Sequence, residues 1–362
     1  MLGRGIDQIL PHPSNPQLHE PFVTTALEYV SLAEARSGAI PRPAGHAYIW
    51  GDALSTLERA ATDVRIVNLE TSVTTSDDYW VGKGINYRMH PDNVPCLAAA
   101  GIDCCVLANN HVLDWGYAGL TDTLESLHGA GIRTAGAGIN DEEAARPAVI
   151  ETGGTSRVRV FAYASETSGT PRTWAALSER PGVNLLRGCL EDDYAFIAEH
   201  LAEHKRPGDI AVVSIHWGSN WGYAISPDDR QLAHRLIDDA GADVVYGHSS
   251  HHPKGIENHA GKLILYGCGD LLNDYEGIAG WEAYRDDLSL MYLATLTEAT
   301  GGLVSLEMTP MRIRNFKLNH ASCEDATWLC ERLDRECRNL GGRLELTADG
   351  RLLLLIEHEP GI

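Results

Sequence analysis

The stretch Ile210-Ala211-Val212-Val213-Ser214-Ile215-His216-Trp217-Gly218 is an apolar run of strand length that stops on an imidazole and a glycine. A run this short, rich in β-branched residues and closed by a turn residue, reads as a buried strand of an α/β sheet. The pattern recurs. Val64 to Val67 leads into Asn68-Leu69-Glu70, and Cys104 to Ala108 into Asn109-Asn110-His111 with Asp114 close behind. Val244 to Tyr246 leads into Gly247-His248-Ser249-Ser250-His251, and Leu263 to Tyr266 into Gly267-Cys268-Gly269-Asp270. Val158 to Ala162 is a further strand of this kind. Helices are expected between them: one opening at Ser226, where Ser-Pro-Asp-Asp supplies a cap and a first-turn proline, one over Tyr117 to Ala130, and one over Asp192 to His204. Strands alternating with helices place the chain in the α/β class.

Beyond Leu288 the pattern changes to a hairpin, Ser289 to Leu296 and Leu303 to Met308, around Thr300-Gly301-Gly302. A helix from Ser322 to Leu340 follows, then apolar runs around Leu344 and from Leu352 to Ile356. The expected organisation is one catalytic domain over residues 1–320, with residues 321–362 packed on it as an appendage.

Composition narrows the function. The 362 residues carry 29 Lys plus Arg against 50 Asp plus Glu, a net charge of −21 that repels phosphate backbones and anionic lipid, and no basic cluster offsets it. Nucleic acid is therefore not an expected partner. No apolar run approaches the roughly 20 residues of a membrane span, and the opening residues lack the apolar core of a secretory signal, so a cytoplasmic location is expected. The 8 cysteines include no Cys-x-x-Cys pair, which argues against a four-cysteine zinc site. Cys323, Cys330 and Cys337 recur every seventh residue and read as small apolar residues on one buried helical stripe.

Ligands of α/β proteins collect at the carboxyl ends of strands. Singly, each polar ending has a structural explanation: Asn109 and Asn110 as helix caps, Glu70 in a turn, Asp270 as another cap. Together they present the usual ligands of zinc, manganese, iron or calcium and the usual proton carriers.

The set Asn68-Leu69-Glu70, Asn109-Asn110-His111 with Asp114, His216-Trp217-Gly218 and Gly247-His248 with His251 resembles the CapA-like capsule-synthesis family, a branch of the calcineurin-like metallophosphoesterases. Met1-Leu2-Gly3-Arg4-Gly5 is similar to the segment after that family's first strand, and the resemblance runs from Met1 to about Asp274. It implies a four-layer αββα sandwich with a metal centre at the strand ends. Glu70, Asn110, His216, His248 and His251 would surround a divalent ion, calcium, manganese, zinc or iron. His111, His216, His248, Asp114 and Asp270 would carry the acid and base chemistry. Family members have a Gly-Asp pair before the Met-Leu-Gly-Arg stretch, which this sequence does not include, so Glu70 is the one clear acidic ligand and a single ion is expected. Members are usually tethered to a membrane, whereas no such segment is present here.

Aromatic residues beside scattered cations suit a peptide-like ligand with a carboxylate, and they equally suit tryptophans packed under a loop. Trp80, Lys83, Arg88, Trp217 and Trp221 are the candidates to bind it. The resemblance extends to lasso-peptide epimerases, which implies metal-dependent Cα epimerisation of a peptide as the sharpest expectation. The alternatives are a metal-dependent hydrolase of a phosphoester or glutamyl amide, and a poly-γ-glutamate capsule biosynthesis factor without catalysis.

Overall fold

A computed structural model describes residues 1–154 and 156–356. The strand Asp209–His216 is buried along its whole length in the interior of a six-stranded sheet. In spatial order the strands are Ile256–His259, Lys262–Leu265, Val244–His248, Asp209–His216, Arg157–Ala164 and Ala148–Glu151. The inner four are parallel and the two outer strands run antiparallel to their neighbours. A parallel sheet has to be covered on both faces, and the period-2 alternation of side chains shows how this one is.

One face presents Phe161, Tyr163, Ala211, Val213, Ile215, Val245 and Ile264. These pack with Ile197 and Leu201 of the helix Leu190–His204 and with Leu232 and Leu236 of the helix Pro227–Asp238. The latter helix opens as expected, with the Ser226 hydroxyl accepting from the Asp229 amide and Pro227 in the first turn. The opposite face presents Val158, Val160, Ala162, Ile210, Val212, Val244, Leu263 and Leu265, which share a core with Cys104, Cys105 and Val106. Those last residues belong to a three-stranded parallel sheet, Ile66–Asn68, Cys104–Val106 and Arg133–Ala135. The helix Gly116–Gly129 packs against the third of these strands and buries Leu120, Leu124 and Leu127.

Register then decides where the imidazoles go. His216 and His248 are direct partners on neighbouring parallel strands, and Ser214 precedes His216 by two residues. All three continue the face that looks toward the three-stranded sheet.

The hairpin Leu288–Leu296 and Leu303–Ile313 belongs to a five-stranded sheet with Leu318–His320, Leu352–Leu355 and Arg343–Leu346. Leu352–Leu355 pairs with Leu303–Ile313, so this sheet crosses the boundary expected at residue 320. Residues 321–356 thus contribute strands to the body of the protein, and residues 357–362 of the expected appendage lie outside the described residues. The helix Cys323–Arg338 is closed by a capping box between Ser322 and Asp325. It buries Cys330, Leu333 and Cys337, while Cys323 is exposed and all eight cysteines are free.

A cavity of about 1510 Å³ lies between the three sheets. Its floor is the alternating set Val158, Ile210, Val212, Val244, Tyr246, Leu263 and Leu265, and its two walls are the consecutive residues 61–70 and 290–296. Glu70, His248 and Asp270 also line it. No helix among the described residues is long and apolar enough to cross a membrane.

Leu352 is fully buried in the shared sheet. Leu352→Ala is expected to lower the urea unfolding free energy by about 2–5 kcal/mol, the usual range for a truncated core leucine. A loss below about 1 kcal/mol would mean that the C-terminal strands do not contribute to the core.

Candidate active site at the strand ends

The inner imidazoles form the base of the site. His216 Nδ1 stands 2.6 Å from His248 Nδ1, and the Ser214 hydroxyl lies 2.7 Å from His248 Nε2. On its other side His216 Nε2 meets Asn110 Oδ1 at 3.2 Å and Glu70 Oε1 at 3.8 Å. Burial pushes His248 down to about 3. It also holds His216 well below the ordinary imidazole range, helped by the neighbouring His248, His111, His251 and Lys83. Both rings are therefore uncharged at neutral pH; two nitrogens this close share one proton, and would have to part by about half an ångström to share a cation.

Glu70 is fixed by its neighbours. Asn68 Nδ2 donates to Glu70 Oε2 at 3.0 Å, and Asn109 Nδ2 donates to both Asn68 Oδ1 and the Leu69 carbonyl at 3.0 Å. Burial raises the Glu70 carboxyl to about 7; His251 opposes the rise and Asp270 adds to it. Asn109 also accepts from the His111 amide at 3.0 Å, and Asn110 Nδ2 donates to the Ser168 carbonyl at 3.1 Å. The two asparagines thus shape the loop and one of them also reaches His216.

Two charged arrangements flank this base. Asp114 accepts from the Tyr87 amide at 2.6 Å, stands 2.7 Å from His111 Nδ1, and pairs with Lys83 Nζ at 2.6 Å. Lys83 Nζ is also 2.9 Å from His111 Nδ1. Burial pushes His111 down to about 4 against the pull of Asp114. It lowers Lys83 too, with Asp114 opposing. On the other flank His251 Nδ1 lies 3.1 Å from Asp270 Oδ2, and Asn273 donates to the same oxygen at 2.9 Å. Burial works against both charges, yet their mutual attraction wins: the His251 pKa is raised and that of Asp270 lowered.

All of the expected ligands and acid/base groups, Glu70, Asn110, His111, Asp114, His216, His248, His251 and Asp270, therefore meet in one cleft. Uncharged imidazoles, a carboxamide oxygen and a carboxylate are a donor set that suits a divalent ion, so His216, His248, Asn110 and Glu70 are the residues that would hold one.

The substrate candidates divide. Lys83 is in the cleft, and Trp80 stands behind it, edge-on to Trp174 at 5.4 Å, with Lys83 Nζ 5.5 Å from the Trp174 ring centre. Trp221 stacks on Trp281 at 4.3 Å and lies 5.3 Å from the His251 ring, forming an aromatic rim. The other two lie elsewhere. Trp217 is buried on the helix-covered face, its indole donating to the Tyr266 carbonyl at 3.1 Å, because it is one residue out of phase with His216. Arg88 is buried over Trp115 and donates to the Ser76 carbonyl, Asp77 and the Asn15 carbonyl, which leaves its guanidinium no reach into the cleft. Ser214 and Tyr275, whose hydroxyl is 3.4 Å from His251 Nε2, were not anticipated. The period-2 spacing to His216 was signal enough for Ser214, whereas nothing local marks Tyr275.

Asp286 provides a pH test at the rim. Burial first, then Asp287, raises its pKa from 3.8 to about 6. The folded protein thus keeps a proton that the unfolded chain has lost, and the associated stability, full below about pH 4, disappears as pH rises through about 6. Asp286→Asn is expected to raise the calorimetric Tm relative to wild type at pH 8, with the gain shrinking toward pH 4. A gain independent of pH would contradict this placement.

Residues 1–275 match the family model described as "Bacterial capsule synthesis protein PGA_cap". A "Probable polyglutamine synthesis accessory protein" of Mycobacterium tuberculosis (strain ATCC 25618 / H37Rv) is 51% identical over 353 residues, covering 97% of this chain and 93% of that protein. The "PGA biosynthesis protein CapA" of Bacillus subtilis (strain 168) is 29% identical over 254 residues, 70% of this chain and 62% of that protein. The "Capsule biosynthesis protein CapA" of Bacillus anthracis is 26% identical over 236 residues, covering 64% and 53%. The chain is a member of the PGA_cap, or CapA-like, capsule synthesis family.

Proposed function

We propose that this protein is an accessory factor in the synthesis of a glutamyl polymer, and that its cleft cleaves or trims an amide of that polymer with the help of one divalent ion. The observation that carries the reading is the placement of Glu70, a carboxyl raised to about 7, between a Lys83–Asp114–His111 cluster and a His251–Asp270 pair. The relatives' names favour a polymer factor over the Cα epimerisation that the sequence brought forward. In this reading the fold is the αββα sandwich of the calcineurin-like superfamily, with the three- and five-stranded sheets forming the layer that faces the six-stranded one.

A divalent ion held by Glu70, Asn110, His216 and His248 would act as a Lewis acid on the amide carbonyl. The chain's own groups do the rest. Lys83, offering an ammonium inside a protein of net charge −21, provides a local attraction for a glutamyl carboxylate that the surface would repel. His111, uncharged and fixed by Asp114, would take the proton of the water molecule that attacks the amide carbon. His251, whose pKa is raised by the neighbouring Asp270, is placed to give a proton to the leaving amine. Trp221 and Trp281 form an apolar rim on which the polymer backbone can lie.

The test is incubation with poly-γ-glutamate and manganese or zinc, following chain length by size-exclusion chromatography and free amine release. Shortening is expected, with His111→Ala and His216→Ala each reducing the rate by ~100-fold or more, the usual scale for a lost acid, base or ion holder. No shortening and no release of amine would overturn the hydrolytic reading. Deuterium uptake at Cα in heavy water without shortening would overturn it in favour of epimerisation.

A further inference from the structure

At the edge of the six-stranded sheet, on the face covered by helices and not on the face that carries His216 and His248, a second group of histidines and carboxylates comes together. His234 and Asp238 are one helical turn apart on the helix Pro227–Asp238, and Glu257 and His259 are two residues apart on the edge strand Ile256–His259. Both spacings put their pair on one face of the element, so four donors converge from two rigid supports. His234 Nε2 is 3.0 Å from Glu257 Oε2, and His259 Nε2 is 2.9 Å from both Asp238 oxygens. The two imidazoles stack face to face, with centres 3.8 Å apart and planes 8° from parallel. Ligand atoms of His234, Glu257 and His259 all lie within 4.8 Å of one another, and no other trio of His, Cys, Asp or Glu among the described residues, the cleft included, is as compact.

We propose that His234, Asp238, Glu257 and His259 form a binding site for one first-row divalent ion of the zinc, nickel, copper or cobalt type, separate from the cleft. Ligand atoms bound at about 2.0–2.2 Å around one ion stand roughly 3–3.5 Å apart, so each nitrogen–oxygen pair already has coordination spacing and only the two pairs need to close on each other. Two nitrogen and two oxygen donors select these ions over calcium or magnesium, which take oxygen alone. Glu257 is held from behind by Arg230 at 2.8 Å and by the Tyr266 hydroxyl at 2.7 Å, the kind of outer support that orients a ligating carboxylate. His234, His259 and Asp238 remain partly open to solvent, which gives the ion an entry path. The bound ion would clip the edge strand to its covering helix. That strand directly follows the segment carrying His248, His251 and His252, so the clip would anchor one wall of the cleft from outside.

Zinc titration by calorimetry, with cobalt absorption as a geometric readout, separates this site from the cleft. His216→Ala, or Glu70→Gln if that variant does not fold, removes a cleft donor and is expected to leave one equivalent of zinc bound and an intense tetrahedral cobalt band. His259→Ala and His234→Ala, both at partly exposed positions, are expected to weaken that step by ~100-fold or more and to abolish the band. Zinc should also raise the Tm of the wild type and leave that of His259→Ala unchanged. Titrations of His234→Ala and His259→Ala that superimpose on wild type would overturn the proposal.

Discussion

The register that sets His216 beside His248 is the constraint on which the site depends. Two neighbouring parallel strands, each ending on an imidazole at the same level and on the same face, bring two nitrogens to 2.6 Å with no loop required to hold them. Shifting either strand by one residue would turn its histidine into the helix-packed core that holds Trp217. The apolar alternation of Val212, Val244, Val213 and Val245 therefore also fixes the chemistry, because the residues that bury each face of the sheet determine which way its last residues point.

From that base the electrostatics follow. The interior between the sheets is dry enough to keep His216, His248 and His111 uncharged and to raise Glu70, so in the cleft charge survives only where a partner is built in. Two such partnerships flank the cleft, Lys83 with Asp114 and His251 with Asp270, one on either side. The result is a set of neutral donors in the middle and paired charges at the flanks. The middle suits a cation and the flanks suit proton transfer.

Much of this was legible in the sequence because strand ends are local features. The expected strands fall on observed ones with ends within two residues, as with Ile210 to Ile215 inside Asp209–His216, except that Leu303 to Met308 continues to Ile313; the helix at Ser226 is capped as its residues indicate. Periodicity placed Cys330 and Cys337 on a buried stripe, but Cys323, expected on the same stripe, is exposed in the first turn of the helix. The helices Leu27–Ser37 and Ala53–Ala60 were missed. The first buries only Tyr29, Val30 and Ala33, and its apolar residues trace no clear stripe. Arg88 and Trp217 were assigned to the ligand because of their residue types, but what each side chain meets is settled by its phase and by distant partners such as Trp115 and Tyr266. The C-terminal strands looked separate for a related reason: the pairing of Leu352–Leu355 with Leu303–Ile313 joins segments about forty residues apart, and no local signal announces it.

The most direct measurement of the central claim is an anomalous difference map from crystals soaked in manganese. The account predicts a peak within about 2.0–2.3 Å of a ring nitrogen of both His216 and His248, with Glu70 and Asn110 oxygens turned onto it. A fully occupied manganese site elsewhere on the molecule, with His216 and His248 still facing each other across a shared proton, would contradict it.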